Sequence, residues 1–198
     1  MSAKIPDGTT GKILEEEYFG RVMVGGEKAA AAQKVFMELS GGQTPEQARG
    51  RLPFMSAVRF AKAVQPWQSP TLPKRKVARD LLDFVCEDMG IDPESEEAEH
   101  LEFYTSVGSP LDLHGVDAFI EYRGVRALID VTKNPAKRFD DSSGDRMIME
   151  ELPDWNDPSQ KIKYEQELRK YSKHLAMILS EAIEKRRERE RAYVPPLR

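Results

Sequence analysis

Residues 117–132 constrain the fold more than any other stretch. Two runs rich in β-branched and aromatic residues, 117–122 and 125–132, flank Arg123-Gly124, a composition that predicts a β-hairpin. With a two-residue loop, Tyr122 faces Val125, Glu121 faces Arg126, Phe119 faces Leu128 and Asp117 faces Asp130. Directly opposed residues share a sheet face, with β-carbons about 4.5–5.5 Å apart. A four-residue loop keeps that pairing, whereas a three-residue loop with a bulge breaks it.

Two aspartates so placed repel each other, and their apolar flanks predict a half-buried site that sharpens the repulsion. The usual compensations are a shared proton or a hard divalent cation bound through oxygen. Lys133 and Lys137 come soon after in the chain. Two acids, a cation and an ammonium group are the parts needed to hydrolyse a phosphodiester.

Gly115-Val116-Asp117, the hairpin, and then Ile129-Asp130-Val131-Thr132-Lys133 together resemble the active-site signature of the PD-(D/E)XK nuclease superfamily. That group includes restriction endonucleases, Holliday-junction resolvases and phage exonucleases, and the match covers roughly residues 100–170. The resemblance implies a restriction-endonuclease-like core, with Asp117, Asp130 and the carbonyl of Val131 holding Mg²⁺ or Mn²⁺ and a lysine as catalytic cation. Family spacing puts that lysine two residues after the acid, where this chain has Thr132. Strict alternation aims Lys133 to the opposite face, and Asn134-Pro135 ends the strand there. Either Lys133 swings round the strand end or Lys137 reaches back from the next turn.

The 198 residues are enough for one domain and a small satellite. A net charge of −4 gives no global signature for nucleic acid, so any basic surface must be local. A single cysteine, Cys86, rules out an internal disulfide and fits a reducing cytosol. No apolar run approaches the ~18 residues of a membrane span, and the first residues lack a secretory core. The expectation is a cytoplasmic protein, with a phage or mobile-element origin implied by family analogy alone.

In chain order, residues 1–26 read as a Gly-rich arm and 27–39 as a helix stopped by Ser40-Gly41-Gly42. Thr44-Pro45-Glu46-Gln47 is a capping box opening a short helix over 45–51, and Pro53 opens a third helix to about residue 64. These three resemble a helix-turn-helix module over 27–66, its last helix offering Ser56, Arg59 and Lys62 to DNA. Residues 67–74 form a proline-rich linker, with Trp67 docking on a neighbour, and 75–198 the nuclease-like domain. Residues 75–89 make an amphipathic helix, and 94–100 a short acidic one. Family practice adds a helix glutamate to the metal, for which Glu87, Glu99 and Glu102 are the candidates. Residues 101–107 alternate as a first strand. His114, in the loop after that strand, is left out of the site, because such metals prefer oxygen. Residues 134–156 read as a mobile insert with a further strand at 146–152. Asp157-Pro158 caps a helix running to about residue 192, with a short tail beyond it. Gln160, Lys163 and Tyr164 match a Gln-x-x-x-Tyr element that lies near the nucleic acid in RecB-like members.

The fold expected is mixed α and β: a three-helix module, a small mixed sheet flanked by helices and a long C-terminal helix. The activity expected is Mg²⁺-dependent DNA cleavage, endo or exo, with a homodimer if both strands are to be cut together. Two alternatives remain: a catalytically silent nuclease fold that binds DNA or serves virion assembly, and a helical assembly protein in which the acid pair is incidental.

Overall fold

A computed structural model describes residues 7–22, 26–65, 68–133 and 145–192. It is a mixed α and β fold. Among the described residues there are five α-helices, α1 (Asp7–Phe19), α2 (Glu27–Leu39), α3 (Phe54–Ala63), α4 (Lys76–Asp88) and α5 (Lys161–Ala192). Four strands, β1 (Leu101–Thr105), β2 (Ala118–Tyr122), β3 (Val125–Thr132) and β4 (Arg146–Glu150), form one sheet in sequence order. β1, β2 and β3 are antiparallel, and β4 adds parallel to β3.

The hairpin forms with the expected register. Arg123 and Gly124 both take positive φ, 50° and 81°, the requirement of the tight turn that matches strand twist. Tyr122 pairs with Val125, Glu121 with Arg126 and Phe119 with Leu128. The regular ladder ends at Ala118 and Ile129, one step short of Asp117 and Asp130. There the Asp117 amide donates to the Ile129 carbonyl at 2.8 Å, and the Val131 amide donates to the Asp117 carboxylate at 2.7 Å. A side chain thus stands where a backbone acceptor would continue the sheet.

Alternation divides the sheet between two cores. Ala118, Ile120, Tyr122, Ala127, Ile129 and Val131 pack with α1, α4 and α5. Tyr104, Phe119 and Leu128 face the other way, sharing a cluster with Phe36 of α2 and Val58 and Phe60 of α3. The N-terminal helices therefore cover the second face of the sheet and share its core.

Several expectations are corrected. The arm over residues 1–26 contains α1, because Leu14, Tyr18 and Phe19 are buried in the first core and tertiary contacts override the Gly-rich composition. Gly20 ends that helix at φ 74°, its amide donating to Glu16. Residues 45–50 are turns and not a helix, although the capping pair forms: the Thr44 amide bonds Gln47 at 2.8 Å and the Gln47 amide bonds Thr44 at 3.3 Å. Two left-handed residues, Arg49 and Gly50, stop any propagation. Residues 94–97 are also turns, with only a three-residue 3-10 turn at Ala98–His100. The described part of the proline-rich segment is fastened to β1. Gln65 exchanges bonds with the Thr105 backbone at 3.3 and 3.4 Å, and the Phe103 amide donates to Pro70 at 2.8 Å. Trp67, Lys137, residues 134–144 of the expected insert and the tail beyond 192 lie outside the described residues.

Candidate metal centre

The geometry of the centre begins with Asp117, delivered by the loop 106–116 to the end of β2. Two bonds hold that loop: the Ser106 hydroxyl donates to the Val116 carbonyl at 2.5 Å, and the Ser106 amide donates to the Asp117 carbonyl at 2.8 Å. Gly115, at φ 70°, makes the final bend, a conformation that side chains resist. Asp117 is 4 % exposed, and burial pushes its carboxyl up from 3.8 to about 8. The Val131 amide opposes that rise, while Glu15, Asp130 and Asp112 add to it through charge.

Glu15 comes from α1, where its neighbours Leu14 and Tyr18 pin the helix against the core. Asp112 comes from a 3-10 turn, Asp112–His114, and accepts the Gly108 amide at 2.8 Å. One carboxylate oxygen each of Glu15, Asp112 and Asp117 lies within 4.8 Å of the others. Asp130 is 2 % exposed, on the Leu128 face of β3. Beside it stands Arg146 of β4. A β-carbon built on Gly115 would lie 3.7 Å from Asp130 Oδ2 and 3.5 Å from Arg146 Nη1. Arg146 also donates to the carbonyls of Gly115 and His114, both at 3.4 Å, which ties β4 to the loop that carries Asp117.

Three carboxylate oxygens at this spacing fit a hard divalent cation of the Mg²⁺ type. The raised Asp117 carboxyl fits as well, since a buried acid among acids stays protonated at neutral pH until a cation displaces the proton. Asp117 is legible from the hairpin, and the structure brings it beside Asp130 as expected. Sequence reasoning misses Glu15, which is hidden in a segment with no helical signature. The three candidate helix acids are elsewhere: Glu87 pairs with Arg169 at 2.8 Å, Glu99 is exposed, and Glu102 lies 4.0 Å from Lys62.

The other expected site residues are spread more widely. Val131 contributes its amide to Asp117. Lys133 lies just past β3 and pairs with Glu151 at 3.2 Å. Thr132, two residues after Asp130, is buried. Lys62 does not face a groove. It turns onto the sheet, pairing with Glu121 at 2.5 Å and lying 5.0 Å above the Tyr104 ring, because the buried Glu121 needs a cation. Arg59 is exposed on α3 and Ser56 is half-buried. Gln160 bonds to Asp154 and Asp157 ahead of α5. Tyr164 is a core residue whose hydroxyl donates to Asp80 at 2.9 Å, and burial pushes that hydroxyl up. Both are thus engaged away from the acid cluster, and Lys163 is exposed. His114 is structural, its Nε2 2.9 Å from the Leu52 carbonyl.

No family model, curated protein or solved structure matches this chain.

Proposed function

We propose that this chain hydrolyses phosphodiester bonds in DNA with the help of a divalent cation. One observation carries the reading: Asp117, buried and held near pH 8 by its surroundings, faces Glu15, Asp112 and Asp130. Burying Asp117 near other acids costs stability in its charged form, and a bound cation would remove that cost. Mg²⁺, when bound, supplies charge neutralisation at the phosphate and a water of lowered pKa.

The chain's own residues do the rest. Asp117, Glu15 and Asp112 offer the oxygen ligands, with Asp130, beside Arg146, next to them. The Val131 amide orients the Asp117 carboxylate, leaving its second oxygen for the cation. The resemblance adds the Val131 carbonyl to the ligands and a lysine to the water, either Lys133 after release from Glu151 or Lys137. Arg59, Lys163 and further exposed cations supply phosphate contacts. One site makes one cut, so double-strand cleavage calls for two copies, and α5 offers the length for a seam.

The test is incubation of end-labelled single-stranded and duplex DNA with Mg²⁺ or Mn²⁺. Cutting by the wild type that disappears in Asp130→Ala and Asp117→Asn supports hydrolysis. A second reading, a silent DNA-binding fold, is favoured by Thr132 at the lysine position and by the Lys133–Glu151 pair. It predicts salt-sensitive DNA binding with no product under any metal.

A further inference from the structure

We infer that the cleft between α1, α2 and the loop 108–113 receives one unpaired nucleotide of a DNA strand, with its phosphate held by Lys12 and Arg21, and with Asp112 at the margin of the cleft. This deepens the hydrolytic reading by naming the form of DNA, and rests on that reading only for the cleavage step. Three observations carry it.

The cleft and the acid cluster share a residue. Asp112 lines the cleft, and its carboxylate is also one of the three oxygens within 4.8 Å of one another. A strand seated in the cleft therefore has a phosphate next to the cation ligands.

The size selects a nucleotide over a duplex. The recess encloses about 520 Å³, within the range of roughly 300–1,000 Å³ that takes small molecules. A duplex, whose major groove alone is about 12 Å wide, does not enter a recess of that volume.

The lining has the chemistry of a nucleotide. Exposed Leu113 and half-buried Ala29 and Pro45 give an apolar wall for a base, over a floor formed by the buried Phe36 and Phe60. Lys12 and Arg21 give two cations for phosphate, and Glu46 is the remaining acid. Arg21 pairs with Glu16 at 3.2 Å, the arginine exposed and the glutamate partly so. Such a pair is worth little, so a phosphate can take the guanidinium from it.

The experiment uses the full chain in EDTA, where nothing is cut, and measures fluorescence anisotropy with a labelled 12-nucleotide single strand and a blunt hairpin duplex. The expected result is at least tenfold tighter binding of the single strand. The Lys12→Ala/Arg21→Ala double variant, two exposed positions that leave both cores intact, should weaken strand binding about tenfold. The same variant should flatten the salt dependence by one to two counterions, near 0.7 for each phosphate that is no longer neutralised. Arg21→Glu should weaken it further.

Equal affinity for strand and duplex, or double-variant binding indistinguishable from wild type, overturns the inference. So does no binding of either DNA, or binding of a peptide in the cleft in place of the strand. Strand binding of the expected kind without Mg²⁺-dependent cutting leaves the cleft standing and removes hydrolysis. Mg²⁺-dependent cutting untouched by the cleft variants does the reverse.

Discussion

Two buried carboxylates occupy the same region of β2 and meet opposite surroundings. Glu121, inside the strand, is clamped by Lys62 at 2.5 Å and Arg126 at 2.6 Å. Asp117, just before the strand, has one backbone amide and a ring of other acids. Both are nearly inaccessible to water, at 7 % and 4 % exposure. The first shows how this fold neutralises an acid that it needs for packing: α3 and β3 each lend a cation, and α3 is thereby fastened to the sheet. At the second, the bond to Asp117 itself comes from a backbone amide, Arg146 stands beside the neighbouring Asp130, and burial drives the Asp117 carboxyl to about 8. The proposed cation would relieve that state.

The largest effect that sharpens this contrast is expected at Asp117. Asp117→Asn keeps an acceptor for the Val131 amide and removes the charge, so metal-dependent cleavage should fall by on the order of 10³-fold or more. The same variant should melt higher than wild type at pH 8 without metal. Loss of stability in that variant would place Asp117 with Glu121, as an acid that packing requires.

A dependence on pH comes next. Asp117 binds its proton near pH 8 in the folded chain and near 3.8 when unfolded. Between those values the folded state holds more protons, so its stability is full below pH 3.8 and declines as pH rises through about 8. Thermal melts of metal-free protein at pH 5 and pH 8 should show that decline, by at most about 1.4 kcal/mol per pH unit from this group. Mn²⁺ should raise the melting temperature more at pH 8 than at pH 5, and a metal effect independent of pH would break the link to Asp117.

Glu121→Ala tests the other side. It leaves Lys62 and Arg126 without their shared partner, and both are partly exposed, at 32 % and 25 %, which softens the penalty. A destabilisation of about 2 kcal/mol is expected in chemical denaturation, with metal affinity unchanged. The smallest effect belongs to Glu15→Gln, which removes one ligand charge from a helix that stays packed. Metal affinity should weaken by roughly tenfold with little change in melting temperature.

Much of this contrast is legible in the chain itself, and the reason is local. Arg123-Gly124 and strict alternation dictate the hairpin, so the placement of Asp117, Asp130, Glu121 and Arg126 comes from counting. The bounds of α2 and β3, and nearly those of β2 and α5, likewise come from caps, breakers and periodicity. Glu15 cannot be read this way. Its helix contains two glycines and two threonines and exists because Leu14, Tyr18 and Phe19 find the core formed by residues far along the chain. Sequence reasoning misplaces Lys62 for the same reason: its partner Glu121 lies 59 positions on, and only the packing of α3 on the sheet joins them. Tyr164 has a short motif to recommend it, yet Asp80, 84 positions earlier, takes its hydroxyl into the core.

The central claim is that the acids at the end of the sheet hold a divalent cation through Asp117. Calorimetric titration with Mn²⁺ at pH 7.5, in two buffers of different ionisation enthalpy, tests it directly. The expected result is one ion bound per chain, release of about one proton on binding, and no binding by Asp117→Asn. A wild type that takes up no ion, or an Asp117→Asn variant that binds Mn²⁺ as tightly as wild type, contradicts it.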